Sequence, residues 1–448
     1  MRNAFSCPRK AMGQAMALLV VGSLIVPLAH PQHLSSVDRE KAQAILQSIA
    51  GDVRKYYYDP KLHGVDWDAK VEETKQAIAK TDSWNTAILE VAALLETLND
   101  SHTFFAPPQD PMSQDYGWRF QMIGSRCYIT HVRPKTDAEN KGLKPGDEVL
   151  TIDGFAPTRE ALNKIEYVLY TLVPQRTLTL DLRDHSGKIR RRVEVVAKVR
   201  QAKAVTDLGD MTGGEQWKLR LEYEDELRLM RPQYKEIGKE LMILRLPEFT
   251  GEDLDAKDIL GKAHKHDALI VDLRGDPGGA ESTLQDLLAS LFEEDIKIAD
   301  KVMRNAKEKV AAKGSHHGAF SGKLIVLVDS ESASASELFA RVIQIEKRGI
   351  IVGDRSSGSV MEAMHYPHQT GTDPTYYFES SVSSADLIMG DGKSLEHVGV
   401  TPDETVIPTA DDLANGRDPV LARAAEIAGV KLSPEDAGKL FPFEWPRK

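Results

Sequence analysis

Two short stretches constrain this chain more than any bulk property. Residues 268–273 (Ala-Leu-Ile-Val-Asp-Leu) and 324–328 (Leu-Ile-Val-Leu-Val) are nearly continuous apolar runs. Runs of this length without polar alternation fit strands buried on both faces, as in a sheet with helices packed on each side. Residues 241–246 (Leu-Met-Ile-Leu-Arg-Leu) supply a third run, and helical patterns alternate with the runs 268–273 and 324–328. This predicts an α/β core over residues 236–409. Both of the first two runs pass directly into turns of small residues. One is Asp272-Leu273-Arg274-Gly275-Asp276-Pro277-Gly278-Gly279, whose paired glycines allow close backbone approach and leave N–H groups unshielded, as an oxyanion-binding turn requires. Such turns also bind phosphates or simply reverse the chain. The other is Asp329-Ser330-Glu331-Ser332-Ala333-Ser334-Ala335-Ser336-Glu337. A serine at a strand-to-helix junction exposes its hydroxyl beside the open amides of the helix. The same serines and alanines also suit an N-cap with tight helix packing.

The remaining chain divides by pattern. Residues 34–112 read as a helical region, with Ser35 and Ser36 preceding an acidic first turn and apolar residues recurring at Ala44, Ile45 and Ile49. It runs through 88–98 to Asn99-Asp100-Ser101-His102, and Pro107-Pro108 closes it. Residues 115–200 carry short alternating runs bounded by turn signals, which predicts a β-rich unit. Residues 201–235 are charged and poorly patterned, a linker or excursion, and residues 410–448 read as a helical tail. At the other end Arg2, Arg9 and Lys10 precede an almost uncharged run over 15–29. That is the layout of a signal peptide over residues 1–29 and of an exported protein, periplasmic or secreted. If the segment is retained, it gives the only expected membrane contact. With 68 acidic against 57 basic residues and a net charge of −11, the chain lacks the electrostatic footprint of a nucleic-acid binder. Cys7 and Cys127 are too few for a disulfide scaffold or a cysteine-based zinc site. His264, His266, His316 and His317 lack the acidic companions of a metal site and read as solvated loops, so no metal or cofactor is expected.

Residues 141–154 (Lys-Gly-Leu-Lys-Pro-Gly-Asp-Glu-Val-Leu-Thr-Ile-Asp-Gly) resemble the G-L-x-x-G-D-x-I-x-x-I-(D/N)-G stretch of PDZ domains. PDZ domains bind extended peptide ends by adding a strand to a sheet edge. The resemblance places the peptide-binding loop near Tyr116, with Gly117, Trp118, Arg119 and Phe120, although this departs from the usual G-L-G-F type.

The two turns together, with a PDZ domain between the helical region and the core, resemble the C-terminal processing (tail-specific) serine peptidases and their tricorn-type relatives. That resemblance implies a multidomain α/β fold: a ClpP/crotonase-like peptidase core, an N-terminal helical region and a β-rich PDZ domain. Asp276 stands where the family's D-L-R-x-N-x-G-G turn carries Asn. The nucleophile falls on Ser334, with oxyanion donors at the Gly278 and Ala335 N–H groups and Ser332 and Ser336 left to packing or capping. The processing proteases carry a lysine base 25 residues beyond the nucleophile, where this chain has Ser359. Lys347 reads as a surface charge. The tricorn-type branch instead uses Ser, His, Ser and Glu. Ser101-His102 resembles its first pair, which implies His102 as general base, supported by Ser101. Glu396, in Leu395-Glu396-His397-Val398-Gly399-Val400-Thr401-Pro402-Asp403, resembles its glutamate and would hold the imidazole. Asp403 is the alternative carboxylate, and His397 reads as a rim residue on a strand. The function implied is an exported serine endopeptidase or C-terminal processing peptidase that captures extended polypeptides through its PDZ domain. The competing class is a non-catalytic peptide-binding or scaffold protein that keeps the peptidase fold.

Overall fold

The computed structural model describes residues 34–108, 112–201, 224–225, 227–250, 256–316, 318–371 and 375–446. The segment read as a signal peptide lies outside these, as does most of the stretch read as a linker. Among the described residues no helix is long and apolar enough to cross a membrane.

The apolar runs become neighbouring strands of a six-stranded sheet. Its order is Glu404–Thr405, Ile350–Gly353, Lys323–Val328, Ala268–Asp272, Leu241–Arg245 and Gln233–Ile237. All pairs are parallel except the last, which is antiparallel. Alternate residues explain the absence of polar alternation. Leu324, Val326 and Val328 face the helices Glu281–Ala289 and Ala335–Ile345. Ile325 and Leu327 face the helix Pro419–Ala428 on the opposite side. Each such buried side chain contributes roughly 1.5–3 kcal/mol relative to exposure, which makes this sheet the rigid platform of the molecule.

Three helices, Ser36–Tyr56, Trp67–Lys80 and Trp84–Glu96, are capped by Ser35, Asp66 and Ser83. They share a core with a second sheet through Ile45, Ile49, Ile88, Leu95, Phe105 and Val382. This region is not helical to its end. Phe104–Ala106 is a strand paired antiparallel with residues 379–381 of the long strand Tyr376–Met389, and Met112–Asp115 is a strand paired with Lys198–Gln201. Distant partners, not local periodicity, decide these short segments. The first pairing carries the loop 99–103 onto the edge of the α/β core.

Five antiparallel strands, Trp118–Ile123, Arg126–Val132, Glu148–Ile152, Thr177–Arg183 and Arg190–Val196, follow one another in space as in sequence. They enclose their own core, with Phe120, Ile129, Ile152, Leu178 and Leu180. The tail is helical only in part. After Ala410–Ala414, Pro419–Ala428 and Pro434–Ala437, the residues around Pro442 leave helical conformation, and Phe443 stacks on His131 with ring centroids 3.9 Å apart.

Candidate active site

The turns that end Ala268–Asp272 and Lys323–Val328 meet because their strands are parallel neighbours in register, so both C-terminal ends open on one edge of the sheet. They are laced together. Ser332 Oγ donates to the Leu273 carbonyl at 2.8 Å, the Ala333 N–H to the Asp276 carbonyl at 3.0 Å, and Ser336 Oγ to the same carbonyl at 3.1 Å. Asp329 Oδ1 accepts the N–H groups of Gly275 and Glu331, each at 3.0 Å. The β-rich region braces the same loop: Ser330 Oγ donates to the Met122 carbonyl at 2.5 Å and Gln121 Nε2 to Asp329 Oδ2 at 2.7 Å.

Ser334 immediately precedes the helix Ala335–Ile345 with φ 53° and ψ −116°. Positive φ is strained for a residue with a Cβ and costs on the order of 1–3 kcal/mol, so the surroundings must impose it. Glu337, fully buried, does much of this. Its carboxylate accepts the N–H groups of Ser334, Ser359 and Gly358 at 3.1, 3.0 and 2.7 Å and the Ser356 hydroxyl at 2.6 Å. Burial pushes its pKa up to about 7 against the pull of those hydrogen bonds. The sequence signal for this role is the capping-box spacing Ser334-x-x-Glu337.

Ser101, His102 and Glu396 come together. Ser101 Oγ lies 2.7 Å from His102 Nδ1 and donates to Glu396 Oε2 at 2.9 Å, while Glu396 Oε1 accepts the Ser101 N–H at 2.8 Å. The carboxylate therefore reaches the imidazole through the Ser101 hydroxyl. Because that hydroxyl's only proton goes to Glu396, its oxygen accepts from Nδ1–H, which leaves the lone pair on Nε2. Burial holds the imidazole below its ordinary 6.5, against the raising effects of Glu396 and Asp100, so it is neutral near pH 7. Asp100 fixes the loop by accepting the N–H groups of His102 and Thr103 at 2.8 and 2.9 Å.

Ser334 is tied to this group through one segment. Its N–H donates to the Ser359 carbonyl at 2.8 Å, and the next residue, Val360, donates its N–H to Glu396 Oε2 at 2.8 Å. Among the described residues no hydrogen bond joins the Ser334 hydroxyl to the imidazole. Asp403 lies elsewhere, accepting from Gln344 Nε2 at 3.0 Å and the Ile351 N–H at 2.8 Å. His397 sits in a turn and not on a strand, so its side chain does not alternate with Glu396 and Nε2 comes within 3.5 Å of that carboxylate. Lys347 lies beyond the far end of the eleven-residue helix that starts after Ser334, about 16 Å along its axis.

Gly278 abuts the serine: a Cβ there would lie 2.7 Å from Ser334 Cβ and 2.8 Å from the Ala335 nitrogen. Its N–H, however, already donates to Asp276 Oδ1 at 2.8 Å. Ala335 opens the helix, where N–H groups have no intrahelical acceptor. Gly279 has φ 133°, and a Cβ on it would fall 2.2 Å from the Phe249 carbonyl oxygen. Gly279→Ala is accordingly expected to cost at least about 2 kcal/mol, read as a lowered urea midpoint. A midpoint equal to wild type would show that the turn relaxes freely.

At the edge strand Trp118–Ile123 the Gly117 N–H donates to Asp115 Oδ1 at 2.9 Å. Trp118 and Phe120 are buried with centroids 4.6 Å apart, and Arg119 lies over the Phe443 ring at 5.8 Å. A cavity of about 1070 Å³ runs beside them, with Arg119, Arg274, Glu331 and Phe443 in its wall. Ser334, His102 and Glu396 do not line it.

Residues 240–406 match the model of peptidase family S41. The chain is 27% identical over 363 residues to the tail-specific protease of Haemophilus influenzae, covering 74% of this chain but 49% of that protein. It is 23% identical over 400 residues to a putative tricorn protease homolog of Streptomyces coelicolor, covering 84% of this chain and 31% of that protein. The carboxyl-terminal-processing protease of Synechocystis is 23% identical over 411 residues, covering 87% and 86%. The chain therefore spans half or less of the first two relatives. The structure of mature CPAF complexed with lactacystin superposes with a TM-score of 0.61 at 16% identity, covering 85% of this chain and 96% of that one, which shows a shared mixed α/β fold with several sheets.

Proposed function

With residues 240–406 forming a peptidase S41 domain, we propose that this chain is a serine endopeptidase or C-terminal processing peptidase working through Ser334, His102, Ser101 and Glu396. The supporting observation is the continuous hydrogen-bonded path from Glu396 through the Ser101 hydroxyl to His102 Nδ1. It sets the tautomer a general base needs, with Nε2 free to take the Ser334 proton. Ser334 Oγ bonds to the peptide carbonyl carbon, and the Ala335 N–H stabilises the oxyanion, joined by Gly278 once Asp276 releases it. As the C–N bond breaks, His102 returns the proton to the leaving amine, and water hydrolyses the acyl-enzyme by the reverse path. The α/β region is read as a ClpP/crotonase-like core and the five-stranded region as a PDZ domain. The edge strand Trp118–Ile123 would receive an extended polypeptide, and a terminal carboxylate would displace Asp115 from the Gly117 N–H. Residues 1–29 are read as directing export.

A second reading, a peptide-binding scaffold that keeps the peptidase fold, draws on two features: the missing Ser334–His102 hydrogen bond and the occupied Gly278 N–H. A fluorophosphonate probe separates the two. Mass spectrometry of the digested protein is expected to find the adduct on Ser334, and the adduct is expected to vanish in His102→Ala. A folded protein that takes up no probe at Ser334 sinks the enzymatic reading.

A further inference from the structure

Asp276 stands at the position where the related turn pattern has asparagine. We infer that Asp276 is a positioning residue for the oxyanion turn whose neutral acid is the working form, and whose ionisation tightens its hold on the Gly278 N–H and silences the site. The inference rests on the assignment of Ser334 as nucleophile.

The geometry is specific. Asp276 is fully buried. One carboxyl oxygen, Oδ1, holds the Gly278 N–H at 2.8 Å; the other, Oδ2, is buried and has no hydrogen-bond partner among the described residues. Its carbonyl is stitched to the elbow by Ala333 and Ser336, so the residue cannot shift without moving the nucleophile. Gly278 touches Ser334 closely enough that no Cβ would fit between them. The N–H that Asp276 holds therefore belongs to a residue packed directly against the reacting serine.

Ionisation changes two things there. A carboxylate accepts a charge-assisted hydrogen bond roughly twice as strong as a neutral one, which raises the cost of surrendering the N–H to an oxyanion. It also sets a negative charge next to the negative charge that develops in the transition state, in a site sheltered from water. The charged groups that bear on Asp276 are Glu248, after the strand Leu241–Arg245, and Asp329, after Lys323–Val328. Both are carboxyl groups whose influence raises the Asp276 pKa, so neither offsets its charge. Burial, opposed by hydrogen bonding from Gly278 and Ser336 and reinforced by those two carboxylates, pushes the Asp276 pKa up to about 8. The neutral acid is then the main form at pH 7 and is lost just above it. Asparagine keeps the acceptor and the shape without the charge.

The test is the pH dependence of kcat/KM for a fluorogenic peptide from pH 5 to 10, in wild type and Asp276→Asn. Wild type is expected to rise as His102 loses its proton and to fall about tenfold per pH unit above the alkaline pKa. Asp276→Asn is expected to keep the acidic limb and lose the alkaline one. Burial also pushes the Glu337 carboxyl up to about 7 and, with Asp329 beside it, raises that of Glu331. An alkaline fall retained in Asp276→Asn would therefore belong to them and overturn the inference, as would a wild-type profile flat to pH 10. If Asp276→Asn does not fold, the Gly278 amide resonance of 15N-glycine-labelled Ser334→Ala decides: a shift titrating near pH 8 supports the inference and a pH-independent resonance overturns it. Wild type that hydrolyses nothing and takes no fluorophosphonate defeats the Ser334 assignment instead, and the amide titration still decides the role of Asp276.

Discussion

Alanine at Ser334, or at His102, is expected to lower kcat for peptide hydrolysis by about 10⁴-fold or more, and the double variant is expected to be no worse than either single one. The reason is that the two side chains perform one step. Without the hydroxyl there is nothing to acylate, and without the imidazole the hydroxyl keeps its proton. The geometry adds an order to the smaller effects. Ser101→Ala removes the atom through which Glu396 reaches His102 Nδ1, so the imidazole loses its tautomer lock while its base remains; a loss of about 10²–10³-fold is expected. Glu396→Gln keeps one oxygen, which can accept the Ser101 or the Val360 N–H but not both, and should fall at least as far. Glu396→Ala leaves those donors without their acceptor and should lose stability as well as rate. KM should move little throughout, because none of these groups lies in the wall of the large cavity beside the edge strand. Steady-state kinetics on the folded variants check the series. A Ser334→Ala enzyme with wild-type kcat, or a Ser101→Ala loss as deep as that of His102→Ala, would contradict this division of labour.

How much of this was legible in the sequence depends on how local the cause is. The runs 268–273 and 324–328 were legible because both faces of their strands meet helices, which removes polar alternation from the chain itself. The convergence of their two turns follows from one step more, since parallel neighbours end on the same edge. Segments whose structure depends on distant partners were not legible. Phe104–Ala106 is too short to show a period and is a strand only because residues 379–381 pair with it. The site divides in the same way. Ser101 and His102 stand out as a pair in sequence, but the insertion of the Ser101 hydroxyl between His102 and Glu396 is a matter of a few ångströms across 295 residues of chain. Sequence reading had the carboxylate holding the imidazole directly. It also offered the Gly278 N–H as a free donor, whereas Asp276 reaches two residues forward to occupy it in an Asx-turn contact. For His397 only the strand premise fails: alternation between neighbours holds on a strand, whereas residues 395–399 form a turn, and the side chain stays half exposed.

Arg274 had no role in that reading beyond belonging to the glycine turn, yet Arg274→Met is expected to cost about 3–5 kcal/mol of stability. Its guanidinium is bidentate to both flanking carboxylates. Nε and Nη2 donate to Asp272 at 2.8 and 2.7 Å, and Nη1 and Nη2 donate to Asp418 at 2.9 and 2.8 Å. Asp418 in turn caps the helix Pro419–Ala428 by accepting the Leu421 N–H at 2.9 Å, so one side chain pins the tail helix to the end of the strand Ala268–Asp272. Burial raises the Asp418 pKa, but the adjacent guanidinium outweighs it and the carboxyl stays below its ordinary 3.8. A carboxyl held low contributes stability that is present above about pH 4 and is lost as the pH falls through its folded value. Removing Arg274 reverses that balance: Asp272 and Asp418 face one another with no cation between them, and the helix cap becomes a liability near neutral pH. Arg274→Lys should recover only part of the loss, because an ammonium lacks the planar fork that pairs bidentately with each carboxylate. Urea denaturation at pH 7 and pH 4 measures both points. The Met variant should lose less at pH 4, where Asp418 can take up a proton once its cation is gone. A loss below about 1 kcal/mol at pH 7 would mean the pair behaves as an exposed one. The three residues act as a unit, so replacing Asp272, Arg274 and Asp418 together by apolar side chains of similar volume should restore most of what Arg274→Met removes.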